Sequence, residues 1–218
     1  MSSQRSAQLV VIGVGYMLGA AALYAGLPGE IPPVLTVPGR GDLWLGVPMV
    51  AFLLPTALAV TDALLRTLCL RHPVGGSSAT DVLRSYDAIM LRFSAFLIAV
   101  HLTVLLALLG FFVGREWVGQ LVPLLLGFTM ISIGNLLPRT RPNLAIGIRT
   151  EHTLSNRSFW IRIHRSAGYI VVGAGAMIVL SAIAVPAPVG PGMILLVGPA
   201  VLVGTWLFVR LSRRRARV

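Results

Sequence analysis

The residues with most to offer chemically crowd one stretch in the second half of the chain: Asn135, Arg141, Asn143, Arg149, Thr150, Asn156, Trp160, His164 and Arg165. Amides, hydroxyls and guanidinium groups at this density supply oriented donors for backbone carbonyls, carboxylates or phosphates, which is the chemistry of recognition. A second segment, near the N-terminus, carries Pro28, Pro32, Asp42 and Trp44 but no nucleophile, no histidine and no paired carboxylates, so hydrolysis is not expected there. His101 and His164 raise a haem or metal reading. Ligation needs imidazoles that face each other within a bundle, however, and these two fall at different depths. A hydrogen-bonded His101 inside the bundle is the simpler reading, and neither a metal nor a cofactor is expected. The one cysteine, Cys69, excludes an intrachain disulfide and a CxxC pair; it reads as a buried small apolar side chain.

The elements that position these residues follow from composition. Of the 218 residues 56% are apolar and only 11% charged, and the mean hydropathy is +0.86. A soluble domain has roughly a quarter of its residues charged, so this chain lacks the polar shell of a cytosolic enzyme and is expected in a membrane. Stretches without Asp, Glu, Lys or Arg run from Ser6 to Gly29, Leu43 to Thr61, Phe93 to Gly114, Trp117 to Pro138 and Ser166 to Val209. One span needs roughly 20 residues. The last stretch is long enough for two, and Pro186, Pro188, Gly190 and Pro191 mark the turn between them. The fold expected is all-α, a polytopic six-helix transmembrane bundle with an amphipathic helix in an inner loop. The first apolar run is too long for a signal peptide and is expected to be retained as a span.

All 18 basic residues are Arg, against 7 acidic residues, for a net charge of +11. With six spans, 16 arginines fall on one side and only Arg40 and Arg115 on the other. Arginine marks the cytoplasmic face, so both termini are expected in the cytoplasm. The arginines lie beside apolar stretches, which points to topology and to the lipid bilayer rather than to nucleic acid; no direct nucleic-acid binding is expected. Five arginines between Arg210 and Val218 read as an anchor to anionic lipid.

Prolines and glycines between Leu27 and Trp44 predict a structured outer turn rather than a helix, with Trp44 at the interface; the same residues also suit a rigid connector. The inner loop, 134–168, is longer than topology requires. Pro138, Pro142, Asn143 and Gly147 predict turns in its first half, and Thr153 or Ser155 is the predicted N-cap of a helix in its second. On that helix Phe159, Trp160 and Ile163 share an arc of about 100°, with Arg162 and Arg165 pointing largely the other way. Its apolar face would rest at the lipid boundary or against another loop. Its arginines would meet lipid phosphate, an acidic partner or an internal carboxylate such as Glu151; holding the loop inside is the alternative use of the same charges. Near the inner ends of spans two and three, Asp62, Arg66, Asp87 and Arg92 are placed to pair across the two helices.

The pattern Gly134-Asn135, Pro138, Arg141-Pro142-Asn143, Gly147-Ile148-Arg149-Thr150, Thr153-Leu154-Ser155-Asn156, Trp160 and His164-Arg165, closing on Gly168, resembles the signature of the SdpI family of bacterial membrane proteins. Leu27-Pro28, Ile31-Pro32, Gly41, Asp42 and Trp44 resemble the small domain that often precedes it. On this resemblance the chain is a single membrane domain over 1–218. It contains a two-span unit at 7–62 with its outer loop at 27–43, and an SdpI-like unit at 117–209 with its signature loop at 134–168. The resemblance implies a multi-pass protein of the bacterial plasma membrane, without enzymatic activity, that confers immunity to a secreted peptide toxin and signals by capturing a cytoplasmic transcriptional repressor. The alternative is a small membrane transporter or membrane-homeostasis protein.

Overall fold

The computed structural model describes residues 2–27, 35–37, 41–43, 47–71, 78–111, 116–184, 203–204 and 210. Most of the expected sixth span and nearly all of the arginine-rich tail lie outside the described residues, as do Pro28, Pro32 and Trp44; Asp42 is described only as a backbone position in a strand. The helices are α1 (Ser3–Tyr24), α2 (Val47–Arg71), α3 (Ala79–Leu108), α4 (Glu116–Gly134), α5 (Glu151–Ser155) and α6 (Arg157–Ala184). Among the described residues five helices are long and apolar enough to cross a bilayer: Ser3–Tyr24, Pro48–Leu70, Ala79–Leu108, Gln120–Arg139 and Arg157–Ala184. The all-α membrane bundle is thus what the chain forms. In the outer loop, β1 (Leu35–Val37) pairs antiparallel with β2 (Gly41–Leu43) in the register Leu35 to Leu43, Thr36 to Asp42 and Val37 to Gly41.

The helices begin where side chains can hold their first free N–H groups. Ser2 accepts the Arg5 N–H at 3.1 Å to cap α1, and Ser78 accepts the Asp81 N–H at 3.1 Å to cap α3. The helices then run further than the uncharged stretches do. α2 continues through Asp62 and Arg66, and α3 begins well before Phe93, because the charges at this end meet one another inside the bundle.

α1, α2 and α3 pack together as one group, α4 and α6 as a tight pair, and α3 joins the two through α4. Association in lipid relies on close packing of small residues rather than on a hydrophobic driving force, and the α4–α6 seam shows it. A Cβ at Gly134 would lie 2.9 Å from the Gly168 carbonyl oxygen, and one at Gly175 would lie 2.6 Å from that of Gly127. The two glycine pairs sit two turns apart on both helices, so the backbones touch along the seam. On α1, Gly15 faces Ile98 and Pro55, and Gly19 faces the Ala51 carbonyl, whereas Gly173 faces nothing within 4 Å.

The core of the first group gathers Ile12, Leu58, Cys69, Val82, Tyr86, Met90 and Ile98, and Ala145 and Ile146 of the inner loop pack against it. Cys69 is buried and unpaired, as expected. Large apolar side chains such as Met17, Leu64, Tyr169, Leu180 and Ile183 are exposed. On a soluble protein such patches would drive association; here they are the face that lipid covers.

Candidate functional site

The loop between α4 and α6 is folded by its own polar side chains. After α4 the chain turns through a single 3-10 turn, Leu137–Arg139. Thr140 then donates its hydroxyl to the Leu137 carbonyl at 2.7 Å and accepts the Trp160 indole N–H at 3.1 Å. Asn143 is buried, and its side-chain oxygen accepts the N–H groups of Ala145 at 2.9 Å and Ile146 at 2.7 Å while its amide donates to the Arg141 carbonyl at 2.7 Å. That Asx-type turn directs Ala145 and Ile146 toward the α1–α3 core.

Gly147 has a φ of +111°, and a Cβ there would collide with the His164 ring, so this position accepts glycine for both backbone and space. The Ile148 N–H donates to His164 Nε2 at 3.0 Å, and His164 Nδ1 lies 2.9 Å from the Trp160 carbonyl. Those partners assign the hydrogen to Nδ1, since Nε2 must accept. The His164 and Trp160 rings stack with centroids 3.9 Å apart, and both residues are 0% exposed. One turn of the loop is thus clamped onto the start of α6 by a tryptophan and a histidine.

Helix α5 opens on a capping box: Thr150 Oγ1 accepts the Thr153 N–H at 3.3 Å and Thr153 Oγ1 accepts the Thr150 N–H at 2.8 Å. Asn156 Oδ1 accepts the Phe159 N–H at 3.0 Å at the start of α6. The predicted N-caps are therefore corrected. Neither Thr153 nor Ser155 occupies the cap; Thr153 is the buried inner partner of the Thr150 box, and Asn156 starts the longer helix. The Phe159, Trp160 and Ile163 arc turns inward against the loop, with Trp160 and Ile163 fully buried, while Arg162 and Arg165 are exposed.

The candidate residues accordingly separate. Asn143, Trp160 and His164 are interior and hold the loop's shape; Thr150 and Asn156 cap helices; Asn135, Arg149 and Arg165 are exposed and Arg141 half-buried. Arg149 also donates to the Leu144 carbonyl. Arg139, Arg157 and Arg162 lie exposed on the same loop and helix start. None of these six arginines meets a carboxylate among the described residues, Glu151 included. Both ring nitrogens of His164 are engaged by backbone groups, which leaves none for a metal.

A second polar cluster lies at the arginine-rich end of α1–α3. Arg5 pairs with Asp62, whose other oxygen accepts Gln8 at 2.9 Å and the Tyr86 hydroxyl at 2.9 Å. Arg66 pairs with Asp87 at 2.5 Å, and Ser2 donates to the same carboxylate at 2.5 Å. Of the predicted pairing across α2 and α3, Arg66 with Asp87 is present, the ion pair of Asp62 is with Arg5 of α1 while α3 reaches it through the Tyr86 hydroxyl, and Arg92 donates to Ser132 at 2.8 Å and the Ala88 carbonyl at 2.7 Å. Arg5, Gln8 and Tyr86 were not foreseen in this role; the available signal was Gln8 standing in an apolar run three residues after Arg5, on one face of α1.

No curated protein and no solved structure matches the chain. The family model of the SdpI/YfhL protein family matches residues 139–209, about a third of the chain, and the clamped loop with its Trp160–His164 stack opens that region. Over residues 139–209 this membrane-spanning chain is therefore similar to the SdpI/YfhL protein family.

Proposed function

We propose that this is a non-enzymatic recognition protein of the bacterial plasma membrane, in which the loop between α4 and α6 presents a fixed arginine face to a cytoplasmic regulator as part of immunity to, or signalling by, a secreted peptide toxin. The observation that supports it is the division of labour in the loop: Asn143, Thr153, Trp160 and His164 are spent inside, while five exposed arginines and the half-buried Arg141 have no carboxylate partner among the described residues. A loop kept only for its charge has no use for two caps, an Asx turn and a buried aromatic stack. Arg planes held on a rigid support match carboxylates or backbone carbonyls of a protein partner. The cytoplasmic side follows from the arginine bias, and the toxin from the family alone.

The test is photocrosslinking from the loop in intact cells, comparing the unaltered chain with an Arg141→Ala, Arg149→Ala variant of equal abundance. A protein captured by the first and lost from the second supports the reading; equal capture by both overturns the assignment of these arginines. Transport is the second reading, favoured by Asp62 and Asp87, each 2% exposed. Each carries an arginine partner, the arrangement of a structural pair; ion flux through reconstituted protein that disappeared in Asp62→Asn would bring transport forward.

A further inference from the structure

Between α3 and α4 runs an open, mostly apolar groove of about 280 Å³, lined among others by Arg92, Ala95, Phe96, Ala99, Phe128 and Ser132. On α3 these positions fall at i, i+3, i+4 and i+7, a single helix face; on α4, Phe128 and Ser132 are one turn apart. Arg92 and Ser132 are bonded at one end, and Ala99 and Leu125 line the other. The groove is therefore polar at one end and mostly apolar along the rest, where the Thr129 hydroxyl is already bonded to the Leu125 carbonyl at 2.7 Å. Ala95 and Ala99 occupy little volume and leave open the space that the two phenylalanines flank, and Phe128 is 59% exposed.

The depth of the polar end is set by α3 itself. From Phe93 to its end at Leu108 the helix carries no charge and covers about 24 Å, most of a hydrocarbon core of about 30 Å. Arg92 thus lies where that core gives way to headgroups, on the arginine-rich side. Its guanidinium has five N–H groups. Two are used, on the Ser132 hydroxyl and the Ala88 carbonyl, and no carboxylate among the described residues neutralises its charge. On the two helices that pack with α3 at this end, Arg5 of α1 and Arg66 of α2 each have an aspartate.

We infer that this groove is a binding site for an anionic membrane phospholipid, with the phosphate on Arg92 and Ser132 and the upper part of one acyl chain along Ala95, Phe96, Ala99 and Phe128. The unneutralised cation favours a headgroup of net negative charge over a zwitterionic one, whose own ammonium already faces its phosphate. From Arg92 to Ala99 the groove extends about 10 Å, so it fixes the start of the chain and leaves the remainder in the bilayer.

The experiment uses the full chain in micelles doped with equal amounts of phosphatidylglycerol and phosphatidylcholine of matched acyl chains, with retained lipid counted by native mass spectrometry. The expected result is preferential retention of phosphatidylglycerol, reduced about fivefold in Arg92→Gln, reduced also in Ala99→Phe, which fills the groove, and unchanged in Arg84→Gln, an exposed arginine on the same helix outside it. Ala99→Phe leaves Arg92 and its bonds in place and decides the matter if Arg92→Gln does not fold. Equal retention of the two lipids, or retention unaffected by Ala99→Phe, overturns the site. A photocrosslinker at position 99 that joins residues 185–209 of the same chain instead of lipid overturns it as well.

Discussion

Trp160 and His164 carry the loop at the scale of single residues, and each does two jobs. The Trp160 indole fills space and holds Thr140, and the His164 ring stacks beneath it and holds the Ile148 amide. Trp160→Ala is expected to cost about 3–5 kcal/mol, read as faster hydrogen exchange at the Ala145, Ile146 and Ile148 amides; exchange unchanged from the parent would contradict the clamp. Gly147→Ala adds a strained positive φ, about 1–2 kcal/mol, and an overlap with His164, and should open the same amides. In the other cluster, Arg5→Met alone strands a buried Asp62 carboxylate and should lower stability by about 3–5 kcal/mol, whereas Arg5→Met with Asp62→Leu should recover most of that; thermal unfolding of the purified chain distinguishes the two. The sequence marked the loop's polar residues correctly as unusual but could not divide them. Asn143, Thr150 and Asn156 serve a neighbouring backbone as readily as a partner protein, and only the turn geometry decides which.

Helices were legible wherever hydropathy alone defines them, and their ends were not. The uncharged stretches stop at Thr61 and start again at Phe93, while α2 and α3 run through Asp62, Arg66 and Asp87, because pairing inside the bundle removes the cost that a charge imposes on a span. The helix that carries Phe159, Trp160 and Ile163 is capped at Asn156 instead of Thr153 or Ser155 for a related reason: Thr153 has the right chemistry for an N-cap, but Thr150 three residues earlier makes it the reciprocal half of a box that opens the short α5. Trp160 could be assigned to an apolar arc from spacing; that the arc faces the loop instead of lipid depends on a chain reversal at Gly147 which spacing does not reveal. The α4–α6 seam gives an element-scale prediction. Gly134→Val would press a branched side chain on the Gly168 carbonyl, 2.9 Å from the first added carbon, and is expected to lower the melting temperature more than Gly173→Val, which meets nothing within 4 Å.

For the whole molecule, the loop adds to the α3–α4 contact a second junction between the family region and the N-terminal helices. Ala145 and Ile146 pack on the α1–α3 core, and the Ser85 hydroxyl reaches the Arg139 carbonyl at 3.4 Å. A movement of α1–α3 would therefore be transmitted to the arginine face, the coupling that the proposed signalling role requires. The arginine bias predicts that cysteines placed at Ser155 and Ser78, in a Cys69→Ser background, react with an impermeant thiol reagent only in inverted vesicles; labelling in intact cells would reverse the orientation. The central claim, a folded loop that holds arginines for a partner, is tested most directly by crosslinking in cells with three chains at equal abundance: the parent, Arg157→Ala with Arg162→Ala, and Gly147→Val. The double variant alters only exposed charges and Gly147→Val only the clamp that positions them, so capture of the partner should fall in both variants relative to the parent. Capture that persists in Gly147→Val, with loop amides shown to exchange freely, would contradict the account.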